Sequence, residues 1–125
     1  MNTEGKLKSY KDLLVWQKST ALVKDIYHLT SCFPPDERFG LVSQLRRAAV
    51  SVPSNIAEGQ SRHTSGEFVQ FLSHAEGSLA ELETQLLIAV DLDYCGKKEA
   101  NQALAQIDEL LRILNSLRQK LATRH

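Results

Sequence analysis

The stretch FVQFLSHAEGSLAELETQLLIAVD, residues 68–91, sets Phe68, Leu72, Ala75, Leu79, Leu82, Leu86 and Ala89 at alternating steps of four and three without a fault. A repeat of 3.5 residues calls for a long, nearly straight helix packed against its neighbours at a shallow angle of about +20°. Just ahead of it, Thr64-Ser65-Gly66-Glu67 places a hydroxyl at the cap and a carboxylate three residues on, the pattern of a capping box. Gly96 stands beyond its far end as the expected left-handed stop.

The same period extends in both directions. From about Lys97 to Ala122 the stripe is Ala103, Ile107, Leu110, Leu114, Leu117 and Leu121, broadened by Leu104 and Leu111. From about Asp12 to Ser31 it is Val15, Leu22, Ile26 and Leu29, with Trp16, Val23 and Tyr27 widening it, and Phe33-Pro34-Pro35 ends it because two prolines cannot continue the ladder. From about Phe39 to Gln60 it is Leu41, Leu45, Ala48, Val52 and Ile56, interrupted by Pro53. An interior proline kinks a helix or divides it; the stripe keeps its phase from Val52 to Ile56, which favours one kinked helix. No stretch alternates in period two for long enough to make a strand. The expected fold is all-α, an up-down-up-down antiparallel four-helix bundle, and 125 residues fit one domain. Residues 1–11 are expected to form a flexible N-terminal arm.

Lys and Arg number 15, as do Asp and Glu, so the formal charge is zero. Taken whole, that balance argues against a polyanionic partner. Taken by segment it does not. Residues 64–96 hold six acidic and no basic side chains, whereas residues 1–31 carry five basic against three acidic, residues 32–63 four against three, and residues 97–125 six against three. One acidic helix therefore faces an otherwise basic chain, which invites pairing within the bundle or a head-to-tail contact between subunits; heterologous contacts of that kind close into rings.

Chemistry-bearing motifs are sparse. No Glu-x-x-His pair exists for a di-iron bundle; Asp25, His28 and Cys32 share one helix face, and Glu67, His74 and Glu81 another, but one face rarely completes a coordination sphere. The six glycines are scattered, giving neither a P-loop nor a dinucleotide fingerprint, and no nucleophile elbow occurs. No catalytic residue, metal ligand or cofactor is expected. With no signal-like or membrane-spanning run, the expected location is the cytoplasm, where Cys32 and Cys95 would be free thiols placed at one pole of the bundle.

The most unusual stretch is Leu41 to Gly59. Its small residues permit close approach of a neighbouring helix, and Arg47, Ser51, Ser54, Glu58 and Arg62 form a polar stripe off the apolar face. The stripe reads either as a solvent face with a Glu58–Arg62 pair, or as a polar seam. In a seam, Asn55 and Glu58 would satisfy backbone groups freed by Pro53, or another subunit would dock.

Four blocks carry a resemblance: Leu13-Leu14-Val15-Trp16-Gln17; Gly40-Leu41 with Gln44-Leu45-Arg46-Arg47-Ala48-Ala49; Val52-Pro53-Ser54-Asn55-Ile56-Ala57-Glu58-Gly59; and Ala75-Glu76-Gly77-Ser78-Leu79-Ala80-Glu81-Leu82-Glu83. The chain resembles, over almost its whole length, the four-helix-bundle family encoded within intervening sequences of bacterial large-subunit ribosomal RNA genes, related to the accessory variability determinant proteins of diversity-generating retroelements. The resemblance implies a left-handed bundle, a ring-like homopentamer and no known enzymatic activity; for the retroelement relatives it also implies binding of nucleic acid and of a reverse transcriptase. Two functional classes follow. One is a non-catalytic homo-oligomer that binds RNA or DNA weakly, with Arg38, Arg46, Arg47, Arg62, Lys6, Lys8 and Lys11 as candidate contacts. The other is a protein-protein scaffold without nucleic acid, in which those arginines, with Ser51, Pro53, Ser54, Asn55 and Glu58, serve helix seams or subunit contacts. Arg46 and Arg47 point about 100° apart and could do one job each.

Overall fold

In the computed structural model, which describes residue 10 and residues 13–123, four helices follow one another: α1 (Leu14–Thr30), α2 (Leu41–Gln60), α3 (Ser65–Asp91) and α4 (Lys97–Ala122). A 3-10 turn, Pro35–Glu37, precedes α2. Each helix packs against its two neighbours around the ring α1–α2–α3–α4, with the backbones of diagonal helices held further apart, which is the expected up-down-up-down order. The N-terminal arm falls, apart from Tyr10, outside the described residues, and so do Lys6, Lys8 and Lys11. Among the described residues no helix is long and apolar enough to cross a membrane.

The stripes meet at the centre. Leu22 and Ile26 of α1, Leu45, Val52 and Ile56 of α2, Leu72, Leu79, Leu82 and Leu86 of α3, and Ile107 and Leu114 of α4 are fully buried in one cluster. Each such side chain stabilises the fold by about 1.5–3 kcal/mol relative to exposure. The α1 seam also buries Ser19 and Thr30, whose hydroxyls donate back to the carbonyls of Trp16 (2.9 Å) and Ile26 (2.7 Å). Gln85 is the third buried polar residue among the described residues, within which its Oε1 has no hydrogen-bond partner.

α2 runs through Pro53 as one helix with the proline-associated kink. Around the proline, side chains bond the carbonyls of their own helix: Ser54 to Val50 (2.9 Å), Asn55 to Ser51 (2.8 Å) and Ser51 to Ala48 (2.8 Å). Bonds of this kind bend a helix and replace part of the ladder that a proline interrupts.

Three expectations need correction. The left-handed stop after α3 is Asp93, at φ 62°, not Gly96; its amide donates to Val90 (3.0 Å) and that of Tyr94 to Ala89 (2.9 Å), closing a Schellman turn. A short polar side chain tolerates this conformation, and the earlier stop brings Tyr94 to within 5.6 Å of Phe33 between ring centroids. Gly96 is extended instead and opens α4. At the start of α3, the Thr64 hydroxyl accepts from the Glu67 amide as expected, but the Glu67 carboxylate accepts from that hydroxyl (3.1 Å) rather than from the cap amide. Tyr27 does not widen the core; it is 43% exposed.

Candidate nucleic-acid interface

The outward face where the end of α1 meets the start of α2 forms a groove of about 710 Å³ lined by Tyr27, Arg38, Phe39, Arg46, Arg47 and Val50, among others. The sequence puts these residues there by simple phase. Arg46 and Arg47 follow buried Leu45 and point away from the core, and Phe39 lies in the turn just ahead of the N-cap Gly40, where it is exposed.

Arg46 is held in place. Its Nε donates to Thr30 Oγ1 (2.9 Å), one terminal nitrogen donates to the Tyr27 carbonyl (3.3 Å), and the guanidinium lies 4.4 Å from the centroid of the Tyr27 ring. A cation at the carboxyl end of α1 also suits the helix dipole. Arg47 is exposed and has no hydrogen bond or ion pair among the described residues. The Arg38 guanidinium lies 5.6 Å from the Phe39 ring and is likewise unpaired with any carboxylate. Three guanidinium groups thus share one groove whose lining contains no Asp, Glu, His, Cys or Lys.

The turn that carries Arg38 and Phe39 is fastened from behind. The Glu37 carboxylate accepts from the Leu41 amide (3.0 Å) and from the Tyr94 hydroxyl (2.9 Å), tying the start of α2 to the α3–α4 connection. The Leu41 amide and then the Tyr94 hydroxyl hold the Glu37 carboxyl below its usual range, and the same bond holds the Tyr94 phenol above its own. Gly40 makes room for this: a Cβ there would lie 2.8 Å from Glu37 Oε1.

The remaining candidates are elsewhere. Arg62 sits sixteen positions beyond Arg46, about 24 Å along the helix. There it stacks over Phe71 (4.7 Å) and pairs with Glu58 (2.7 Å), so Glu58 serves that pair rather than the backbone near Pro53. Ser51 and Asn55 work inside the chain, Ser51 meeting Ser78 of α3 across the seam at 2.5 Å. Pro53 is buried, whereas Ser54 lines the groove. Sequence reasoning passed over Phe39 and Tyr27 as members of this face; the signal available was an aromatic next to an arginine and off the apolar stripe.

A second, larger cleft of about 1150 Å³ opens between α1 and α4 and has the opposite character, with Asp25, Asp93 and Glu99 on its walls. Cys32 and Cys95 both line it, as free thiols, and burial followed by the charge of Glu99 pushes the Cys95 thiol up. Among the described residues no three His, Cys, Asp or Glu side chains gather closely enough to hold a metal ion. Among the described residues the acidic excess of α3 is cancelled only in part. Glu76 pairs with Arg118 (2.8 Å), but Glu81, Glu83 and Asp91 have no ion pair among the described residues and stand beside exposed Leu87, Ile88 and Leu92.

The profile of the family described as 23S rRNA-intervening sequence protein matches residues 11–116. The fold is similar to a crystal structure of a protein with unknown function from the S23 ribosomal protein family of Bacteroides thetaiotaomicron, with a TM-score of 0.76 at 20% identity over 84% of this chain and 98% of that one. No curated protein matches the sequence.

Proposed function

The chain belongs to the 23S rRNA-intervening sequence protein family, and from that premise we propose that it is a non-enzymatic homo-oligomer that binds RNA weakly through the arginine groove of α1 and α2. The observation that carries this reading is the convergence of Arg38, Arg46 and Arg47 on one face with no carboxylate among the described residues that line it. Phosphate oxygens supply the missing acceptors, and affinity gained this way is sequence-tolerant and sensitive to salt.

Self-assembly fits the other half of the charge distribution. Two acidic α3 faces repel each other, so a contact that covers Glu81, Glu83 and Asp91 is heterologous, acidic on one copy and basic on the next, and such contacts close into rings. A pentameric ring, as the resemblance implies, would repeat one weak groove several times and raise avidity without new contacts. A second reading draws on the same complementarity: the arginine groove itself receives α3 of a neighbouring copy, and the protein is a scaffold with no nucleic acid.

Light scattering of the pure protein with and without RNA separates the two. In the first reading, Arg47→Glu lowers RNA binding and leaves the particle mass unchanged. In the second, the same substitution dissociates the particle, and adding Glu83→Lys restores it. Absence of RNA association at low salt, with the protein oligomeric, overturns the first reading.

A further inference from the structure

We infer that the ligand of the groove is an unpaired RNA segment with a base stacked on the Phe39 ring, an inference that rests on the nucleic-acid reading above. Phe39 is 89% exposed, the most exposed large apolar residue among the described residues, and it is not a member of the buried core. Its exposure does not come from a slack loop. The Arg38 amide donates to Pro35 (3.1 Å), the Gly40 amide to Glu37 (3.0 Å), and the Glu37 carboxylate anchors the turn to Leu41 and Tyr94. Pro34 and Pro35 restrict the approach to the turn further. The ring is therefore presented to solvent by a fixed support, so little ordering is required when a flat partner lands on it.

What surrounds the ring selects the partner. The Arg38 guanidinium lies 5.6 Å away, Arg46 covers the neighbouring Tyr27 ring at 4.4 Å, and Arg47 stands unpaired in the same groove. Aromatic rings interleaved with arginines form a stacking platform with phosphate contacts beside it, the arrangement by which single strands are held without sequence preference. A duplex would use only half of this surface. Its phosphates could meet the arginines, but its base faces are hidden within its own stack and cannot reach Phe39.

The test is fluorescence anisotropy of the full chain with labelled RNA 12-mers, one single-stranded and one in a perfect duplex, each across a salt series, for the wild type, Phe39→Ala, Phe39→Trp and Arg47→Ala. The single strand is expected to bind more tightly than the duplex. Phe39→Ala should weaken single-strand binding about tenfold, leave duplex binding and the salt slope unchanged, and keep the particle mass by light scattering. Phe39→Trp should retain the wild-type preference. Arg47→Ala should weaken both ligands and flatten the salt slope by about one. Equal loss on both ligands, or none, after Phe39→Ala overturns the stacking inference alone. A changed particle mass after Phe39→Ala also overturns it, by making the ring a subunit contact. No binding of either RNA by the wild type at low salt overturns the nucleic-acid reading, and the inference with it.

Discussion

The seam between α2 and α3 and the side where α1 meets α4 solve the same packing problem in opposite ways. Across the first, small residues bring the backbones together: Ser51 meets Ser78 hydroxyl to hydroxyl, and Gly59 lies so close to α3 that a Cβ would be 2.8 Å from Phe71 Cβ and 2.9 Å from Phe68 Cδ1. Across the second, long side chains bridge a gap, Lys18 to Glu109 at 3.2 Å and Gln106 to Asp25 at 3.0 Å, beside an open cleft. Close packing stores stability in many dispersion contacts that are lost together, whereas exposed polar bridges contribute little each and yield separately. The arginine groove is built on the outer side of α2, one of the two helices that share the most extensive contact in the bundle, so its cations have a rigid backing.

Insertion of bulk should expose this contrast most strongly. Gly59→Leu forces atoms into the α2–α3 seam where the nearest contact is a Cβ that cannot swing aside, and is expected to cost about 3 kcal/mol in urea unfolding. Ala105→Leu adds comparable bulk at an exposed position lining the cleft and should change stability by no more than about 0.5 kcal/mol. Equal losses from the two variants would show that the α1–α4 side is as tightly filled as the seam.

The legibility of the sequence follows the same divide. Phe68 to Ala89 repeats so regularly that helix and buried face can be read from spacing, and of the small residues Ala48, Ala49, Ser51, Ser54, Ala57 and Gly59 that invite a close approach, Ser51 and Gly59 meet α3. Those features are local or periodic. The groove is neither: Tyr27 and Arg46 are 19 residues apart, and Glu37 and Tyr94 are 57 apart, so their meeting depends on how two connections fold back over one pole. Tyr27 misled for a physical reason. An aromatic beside an apolar stripe usually extends the core, but here the ring has a guanidinium to pack against and stays at the surface. Gly96 misled because Asp93 can adopt the left-handed conformation that glycine normally supplies. Arg38, Arg46, Arg47 and Arg62 stand in the sequence as one set of candidate contacts, and nothing in their spacing separates the three that share the groove from Arg62.

Polar bridges give the next smaller test. Arg118 binds Glu76 through two nitrogens, at 2.8 and 3.3 Å, and also reaches Asn115 at 2.7 Å, with both ion-pair partners about three-quarters covered. Hydrogen bonding to Glu76, and then its charge, pushes the guanidinium pKa further up. Arg118→Met should cost about 1 kcal/mol, and most of that should survive in 1 M salt because the pair is half-buried. Lys18→Met breaks a single contact whose partners are 37% and 45% exposed and should cost no more than about 0.3 kcal/mol, falling to nothing in high salt. A larger and salt-resistant effect at Lys18 would mean that the α1–α4 bridge is better shielded than its exposure indicates.

The smallest effect concerns reactivity rather than stability, and it measures how often the looser side opens. Cys32 is exposed at the rim of the cleft and Cys95 is half-buried within it, where burial and then Glu99 push its thiol up. The thiolate is the species that reacts with iodoacetamide, so in the folded protein at neutral pH Cys32 should be alkylated faster, and the rate–pH curve for Cys95 should lie at higher pH than in the urea-unfolded chain. The sign of the linkage follows from that displacement. A thiol that ionises later when folded adds stability below its unfolded pKa, and this stability is lost as the pH rises through the folded value. If the cleft side opened readily, Cys95 would react largely from the open state, its curve would fall on that of the unfolded chain, and its rate would approach that of Cys32. Mass spectrometry of the two peptides over an alkylation time course distinguishes these cases, and a coincident pair of curves would place the weakest packing of the bundle at the α1–α4 side.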